Sequence, residues 1–228
     1  MGARGSARCC ISRCPAVPLR SPLSPPCSTI PRENGSMAKT LMAEPPKSKP
    51  RLPNDAIAWI TAAPPLARFI FRGSPEAEAA AGSAYGLAFP KALNRAASIG
   101  ERGKPGARVA LRIGPDELLL IVPIAEGKAV QTALETATAA HPHSLVDISD
   151  RHTGFALEGP HAADLINAGC PLDLDERAFP VGMVTRTLLH KAEIVLWRMG
   201  PTLFRVEVWR SFAPYVEALL EEAAHDFL

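Results

Sequence analysis

The chain has 228 residues, enough for one domain of ordinary size or for one domain with an appendage, and its formal charge of +2 averages two unlike pieces. Residues 1–51 hold nine Lys/Arg against Glu33 and Glu44, a local charge of +7, so the remainder carries −5. The overall basicity therefore gives no argument for a nucleic-acid partner, and no stretch reaches the roughly 18–20 apolar residues that cross a bilayer, so no membrane partner is expected either.

The N-terminal part comes first in the chain and reads as a leader. Residues 1–51 contain nine of the 23 prolines and four of the five cysteines. A segment so rich in Pro, Ser, Arg and Gly, without apolar periodicity, cannot bury enough surface to offset the entropy of ordering its backbone. Residues 1–53 are accordingly expected to be disordered and residues 54–228 to form the domain. The leader is Arg- and Ser-rich like an organelle transit peptide, but its prolines prevent the amphipathic helix, and it lacks the apolar core of a secretory signal. Met37 and Met42 offer later translation starts. Cys9, Cys10, Cys14 and Cys27 include no C-x-x-C pair, the spacing that marks zinc sites. Only Cys170 remains for the domain, which suits a reducing compartment.

The domain shows its elements most clearly from residue 108 onward. Val109, Leu111 and Ile113 alternate with Arg108, Ala110 and Arg112, then Gly114-Pro115-Asp116 turns the chain into the apolar run up to Val122, predicting a β-hairpin. Val130, Ala133, Leu134 and Ala137 recur at helical spacing within 124–140, and His141-Pro142 stops that helix. Leu145 to Ser149 and Thr153 to Glu158 read as short strands around Asp150-Arg151. A helix is predicted over 160–168, with Pro160 in its first turn and Gly169 ending it in a positive-φ conformation.

Beyond the loop G-C-P-L-D-L-D-E-R-A-F-P-V-G (169–182) come strands over 185–189, 192–198 and 203–209. Ile194 and Leu196 share one face, as do Phe204, Val206 and Val208. Ser211 is then placed to cap a helix carrying Phe212, Tyr215, Val216, Leu219, Leu220, Ala223 and Ala224 as one stripe. Two rounds of strands followed by a helix predict an α+β domain of mostly antiparallel sheet, two-layered, with helices on one face.

There is no G-x-G-x-x-G or G-x-x-x-x-G-K-[ST]; Gly100, Gly103 and Gly106 fall in a loop beside Lys104 and Pro105. Cys170 follows a helix C-terminus, whose partial negative charge disfavours a thiolate. Asp173, Asp175 and Glu176 read as a solvated loop edge, His141 and His143 as loop histidines, and His190-Lys191 as a turn. Asp150, Arg151 and His152 read as a tight turn with an ion pair. Trp197, Arg198, Arg205, Trp209 and Arg210 form the most suggestive set, because arginines and large aromatics on a hairpin are enriched at protein interfaces. No catalytic, cofactor-binding or metal residue is assigned; these five are the candidate interface.

With those segments in place, S-L-V-D-I-S-D-R-H-T-G-F-A-L-E-G-P-H-A-A-D-L-I-N-A-G-C-P-L-D-L-D, F-P-V-G-M-V-T-R-T-L-L-H-K-A-E-I-V-L-W-R and F-R-V-E-V-W-R-S-F-A-P-Y-V-E-A-L-L resemble the gamma subunit family of heterotetrameric sarcosine oxidase over residues 144–224. The resemblance implies a fold like the folate-binding domain of aminomethyltransferases and a structural role beside alpha, beta and delta subunits in the bacterial cytoplasm. Such complexes oxidatively demethylate sarcosine to glycine, with hydrogen peroxide and formaldehyde or, with tetrahydrofolate, methylenetetrahydrofolate. The resemblance places FAD, FMN, NAD and the folate site in alpha and beta, zinc in delta, and no cofactor in this chain. A related fold, the folate-dependent iron-sulfur maintenance protein, carries K-G-C-Y-x-G-Q-E, where this chain has A-G-C-P-L-D-L. The alternative is a free-standing tetrahydrofolate-binding protein that transfers one-carbon units.

Overall fold

The computed structural model describes residues 58–101 and 106–225. The leader with its four cysteines, and Gly103 with Lys104 and Pro105, lie outside the described residues. In chain order the elements are β1 (Trp59–Ala62), β2 (Leu66–Gly73), α1 (Pro75–Tyr85), β3 (Arg95–Ile99), β4 (Arg108–Arg112), β5 (Glu117–Pro123), α2 (Gly127–Thr138), β6 (His143–Asp147), β7 (His152–Glu158), α3 (Ala162–Asn167), β8 (Val184–Leu189), β9 (Ala192–Gly200), β10 (Leu203–Trp209) and α4 (Ala213–His225). The strands form two five-stranded sheets, ordered β3-β4-β5-β2-β6 and β1-β7-β10-β9-β8. Every neighbouring pair is antiparallel.

Strand alternation explains how these pieces stack. In the first sheet Phe69, Phe71, Leu118, Leu120 and Val122 point one way and join Ala77, Ala81, Tyr85, Val130 and Leu134 of α1 and α2 in one core. In the second, Phe155, Leu157, Ile194, Leu196, Phe204, Val206 and Val208 do the same against Leu165 and Ile166 of α3 and Val216 and Leu220 of α4. The opposite faces meet each other: Leu66, Leu111, Leu119 and Ile121 pack with Val184, Val195 and Trp197. The predicted strand-and-helix unit is thus present twice, and the two units join sheet to sheet. The result is four layers in the order helix, sheet, sheet, helix. The sheets also touch at a corner, where Arg95 bridges Met183 and the Ala96 amide donates to the Gly182 carbonyl at 2.9 Å.

The predicted hairpins and helices at 108–140 and 184–225 fall where the sequence put them. Two local expectations change. Ser211 does not cap α4: it lies in a 3₁₀ turn spanning Arg210–Phe212, and the α-helix starts at Ala213. Positive φ belongs to Gly159, at 147°, rather than to Gly169. Gly169 is needed for space instead, since a Cβ there would stand 2.6 Å from the His190 ring carbon Cδ2. The elements before residue 100 carry ordinary signals: Ser74 accepts from the Ala77 amide as N-cap of α1, Pro75 opens the helix, and Gly86 ends it at φ 74°.

Candidate functional site

The β9–β10 hairpin carries the candidate interface, and register decides where each side chain goes. Trp197 and Arg205 are paired across the strands and face the other sheet. Trp197 is buried in the inter-sheet core, and Arg198, on the helix side, is buried as well. Arg205 is only 2% exposed. These three therefore cannot contact a partner, which corrects the sequence reading for them. Trp209 and Arg210, at the end of the hairpin, are the two that reach solvent.

The buried arginines hold the chain to itself. Arg198 donates to the carbonyls of Leu174 at 3.0 Å, Phe179 at 2.9 Å and Pro201 at 2.7 Å, and stacks over the Phe204 ring at 5.0 Å. It is the staple that fixes the 170–182 loop to the sheet. Arg205 Nε donates to Glu207 Oε1 at 2.6 Å; its Nη2 lies 2.5 Å from the same oxygen without the alignment of a hydrogen bond. From the other sheet, Arg68 Nε donates to Glu207 Oε2 at 2.7 Å. An Arg–Glu–Arg triad, each member at most 4% exposed, thus bolts one sheet to the other. Gly154 makes room for it, because a Cβ there would stand 2.7 Å from Glu207 Oε1. Burial alone would push the Glu207 carboxyl up, but Arg205 and Arg68 outweigh it and hold the group below its ordinary range. A second inter-sheet bolt is Glu117 of β5, which accepts from Arg72 and from Arg186 of β8.

The exposed end of the hairpin looks different. Trp209, Phe212 and Tyr215 are 36%, 36% and 39% exposed, and each ring meets the next edge-on, at centroid distances of 6.5 Å and 6.4 Å. Arg151 lies over Trp209 at 4.5 Å, and Arg210 reaches Asp150 at 3.7 Å. The ion pair expected inside the Asp150–His152 turn is thus made to Arg210 instead. Phe212 and Tyr215, read from sequence as the buried start of a helix stripe, form instead an aromatic strip open to solvent. Its only sequence signal was the closeness of three rings on a path that turns from strand to helix.

The remaining candidates sit where bland chemistry puts them. Cys170 is buried, 3.7 Å from Thr187 Oγ1. Asp173 and Asp175 cap local amides on the exposed loop, and Arg177 Nε donates to Asp175 at 3.0 Å. His143 opens β6 rather than lying in a loop, its ring stacked on Phe71. His190 makes the β8–β9 turn with φ 52°. Among the described residues no group of three His, Cys, Asp or Glu is arranged to hold a metal, and no helix is long and apolar enough to cross a membrane. The His152 imidazole is strongly perturbed. Burial lowers it to about 4, Glu207 opposes that shift, and Arg151, Arg68 and Arg186 add to it.

Comparison with known proteins places this architecture. Sarcosine oxidase subunit gamma from Corynebacterium sp. (strain U-96) is 32% identical over 149 residues, 65% of this chain and 69% of the relative. The subunit from strain P-1 is 30% identical over 149 residues, 65% and 70% of the two chains. Among solved structures, a chain of heterotetrameric sarcosine oxidase from Corynebacterium sp. U-96, in complex with pyrrole 2-carboxylate, superposes with a TM-score of 0.68 at 27% identity, covering 76% of this chain and 87% of that one. Aminomethyltransferase T of the Bartonella henselae glycine cleavage system shares the fold, with a TM-score of 0.55 at 14% identity over 72% of this chain and 45% of its own. The family model described as sarcosine oxidase, gamma subunit family, matches residues 72–226, from the end of β2 through α4. On that match, which runs through both sheets and most of the chain, the protein belongs to the sarcosine oxidase gamma subunit family.

Proposed function

We propose that the chain is the gamma subunit of a heterotetrameric sarcosine oxidase and serves its assembly. It binds the alpha, beta and delta subunits of a complex that oxidatively demethylates sarcosine to glycine, with hydrogen peroxide and formaldehyde or methylenetetrahydrofolate, in the bacterial cytoplasm. The observation that carries this is the family match over residues 72–226 together with the superposition on a chain of such a complex. FAD, FMN, NAD and tetrahydrofolate belong to alpha and beta in this account, and zinc to delta. No residue of this chain is assigned to hold any of them. Arg112, in the open groove beside α1, is engaged by Glu78 and by the Pro90 and Pro115 carbonyls.

The surface assigned to assembly is the strip of Trp209, Phe212 and Tyr215 with Arg210 beside it, and its occupant is one of the large subunits. Aromatics that are partly exposed and adjacent become energetic anchors when a partner covers them. Purification of the tagged chain from cells grown on sarcosine is expected to bring down a yellow complex with two large subunits and a small zinc protein. The double variant Trp209→Ala/Tyr215→Ala is expected to lose those partners while its own thermal midpoint holds. A chain that comes down alone and colourless would refute the assembly role, and calorimetry with tetrahydrofolate would then test the free-standing one-carbon transfer function.

A further inference from the structure

A cavity of about 230 Å³ lies between the sheets beside the start of β7. Ile70, Leu119, Val146 and Ile148 make its apolar wall, and His152 and the stacked Arg151 and Trp209 make its polar one. Two of its three acidic lining groups are matched, Glu207 by Arg68 and Arg205 and Glu117 by Arg72 and Arg186, while the third, Glu193, is exposed at the rim. Two other polar groups are not matched. Arg151 pairs with no carboxylate among the described residues and only lies over Trp209. His152 Nδ1 is buried without a hydrogen-bond partner, although polar atoms in such places nearly always have one. Three arginines (72, 151 and 186) and three glutamates (117, 193 and 207) line the space, and their ion-pair partners add Arg68 and Arg205 against Asp116, an excess of one positive charge. That balance favours an anion over a cation, and a purely apolar guest would leave the buried His152 Nδ1 unanswered.

We propose that this inter-sheet cavity binds a small carboxylate with an apolar body, its oxygens on Arg151 and His152 Nδ1 and its body against Ile70, Leu119, Val146 and Ile148. The volume exceeds the roughly 150 Å³ that encloses benzene, so one ring or a short branched chain fills it. The site does not depend on the assembly role, although Trp209 borders both surfaces. The isolated full-length chain is therefore the sample, so that no partner covers Trp209 and no carboxylate site elsewhere contributes. Calorimetric titration with benzoate is expected to saturate, with benzyl alcohol binding about tenfold more weakly for want of the charged hydrogen bonds. Arg151→Gln should lose a similar factor. Val146→Trp, on an edge strand where a larger ring can extend over the cavity, should abolish benzoate binding at an unchanged thermal midpoint; Ile70→Phe gives the same reading should that variant fail to fold. The imidazole nitrogen signals of His152 should move with benzoate in the parent and stay fixed in the filled variant. The proposal is overturned by absence of saturable benzoate binding in the millimolar range, by equal affinity for the alcohol, or by undiminished binding in the filled variant.

Discussion

Glu207→Gln isolates the bolt between the sheets. The substitution keeps shape and an acceptor oxygen but removes the only carboxylate between Arg68 and Arg205, which are 4% and 2% exposed. Removing one partner of a buried ion pair costs about 3–5 kcal/mol, because the remaining charge is left uncompensated in a low dielectric. At about 2–4 °C per kcal/mol for a domain of this size, the thermal midpoint should fall by roughly 10 °C. Calorimetry at neutral pH, with chemical denaturation as a second measure, reads the change. The loss should hardly respond to added salt, since buried pairs are poorly screened. Replacing all three members by Met and Leu of similar volume should recover most of the stability, because that change leaves no charge stranded. A loss below about 1 kcal/mol, the level of an exposed pair, would show that the triad does not hold the sheets together. The pH dependence has a fixed sign. The folded carboxyl lies below its ordinary 4.5, so its contribution is complete above that value and disappears as pH falls through the depressed one.

Three further outcomes follow from the same geometry. His152 is held near 4 against 6.5 when unfolded, so its neutral form favours the fold fully above 6.5 and progressively less down to 4; His152→Gln should flatten the stability profile in that window, and an unchanged slope would count against it. Arg198→Lys leaves a charge but cannot reach the three carbonyls at once, so amide exchange in residues 174–180 should accelerate while that of β10 stays slow. Tyr85→Phe removes the buried hydroxyl whose one proton is shared between the Val109 and Ile121 carbonyls at 2.8 and 2.9 Å, and should cost about 1–3 kcal/mol by denaturant titration.

What the sequence displays and what it conceals divide along the two faces of each strand. The pattern of Ile194, Leu196, Phe204, Val206 and Val208 was legible because one face is apolar and backed by helices. The other face carries Arg205, Glu207 and Trp209, and a strand that alternates in this way reads as half-solvated. Burial of Arg205 and Glu207 is made tolerable by Arg68, 139 residues from Glu207, and no local pattern announces so distant a partner. One signal of the second sheet was nevertheless present: Leu118 to Val122 is apolar at every position, which requires cover on both faces. The segment before residue 100 carries cap signals for α1 but little apolar periodicity, for local reasons. Pro64 and Pro65 separate β1 from β2, Arg68 and Arg72 break the apolar run of β2, and α1 buries Ala77, Ala81 and Gly82 beside a single large ring, Tyr85, so its faces show little contrast. The candidate interface failed in part by the same mechanism. An arginine among aromatics marks a place where a guanidinium is partnered and dry, and that partner can be the protein's own second sheet as readily as another subunit. Only the residues at which the strand ends, Trp209 and Arg210, escape that ambiguity, because there both side chains still reach solvent.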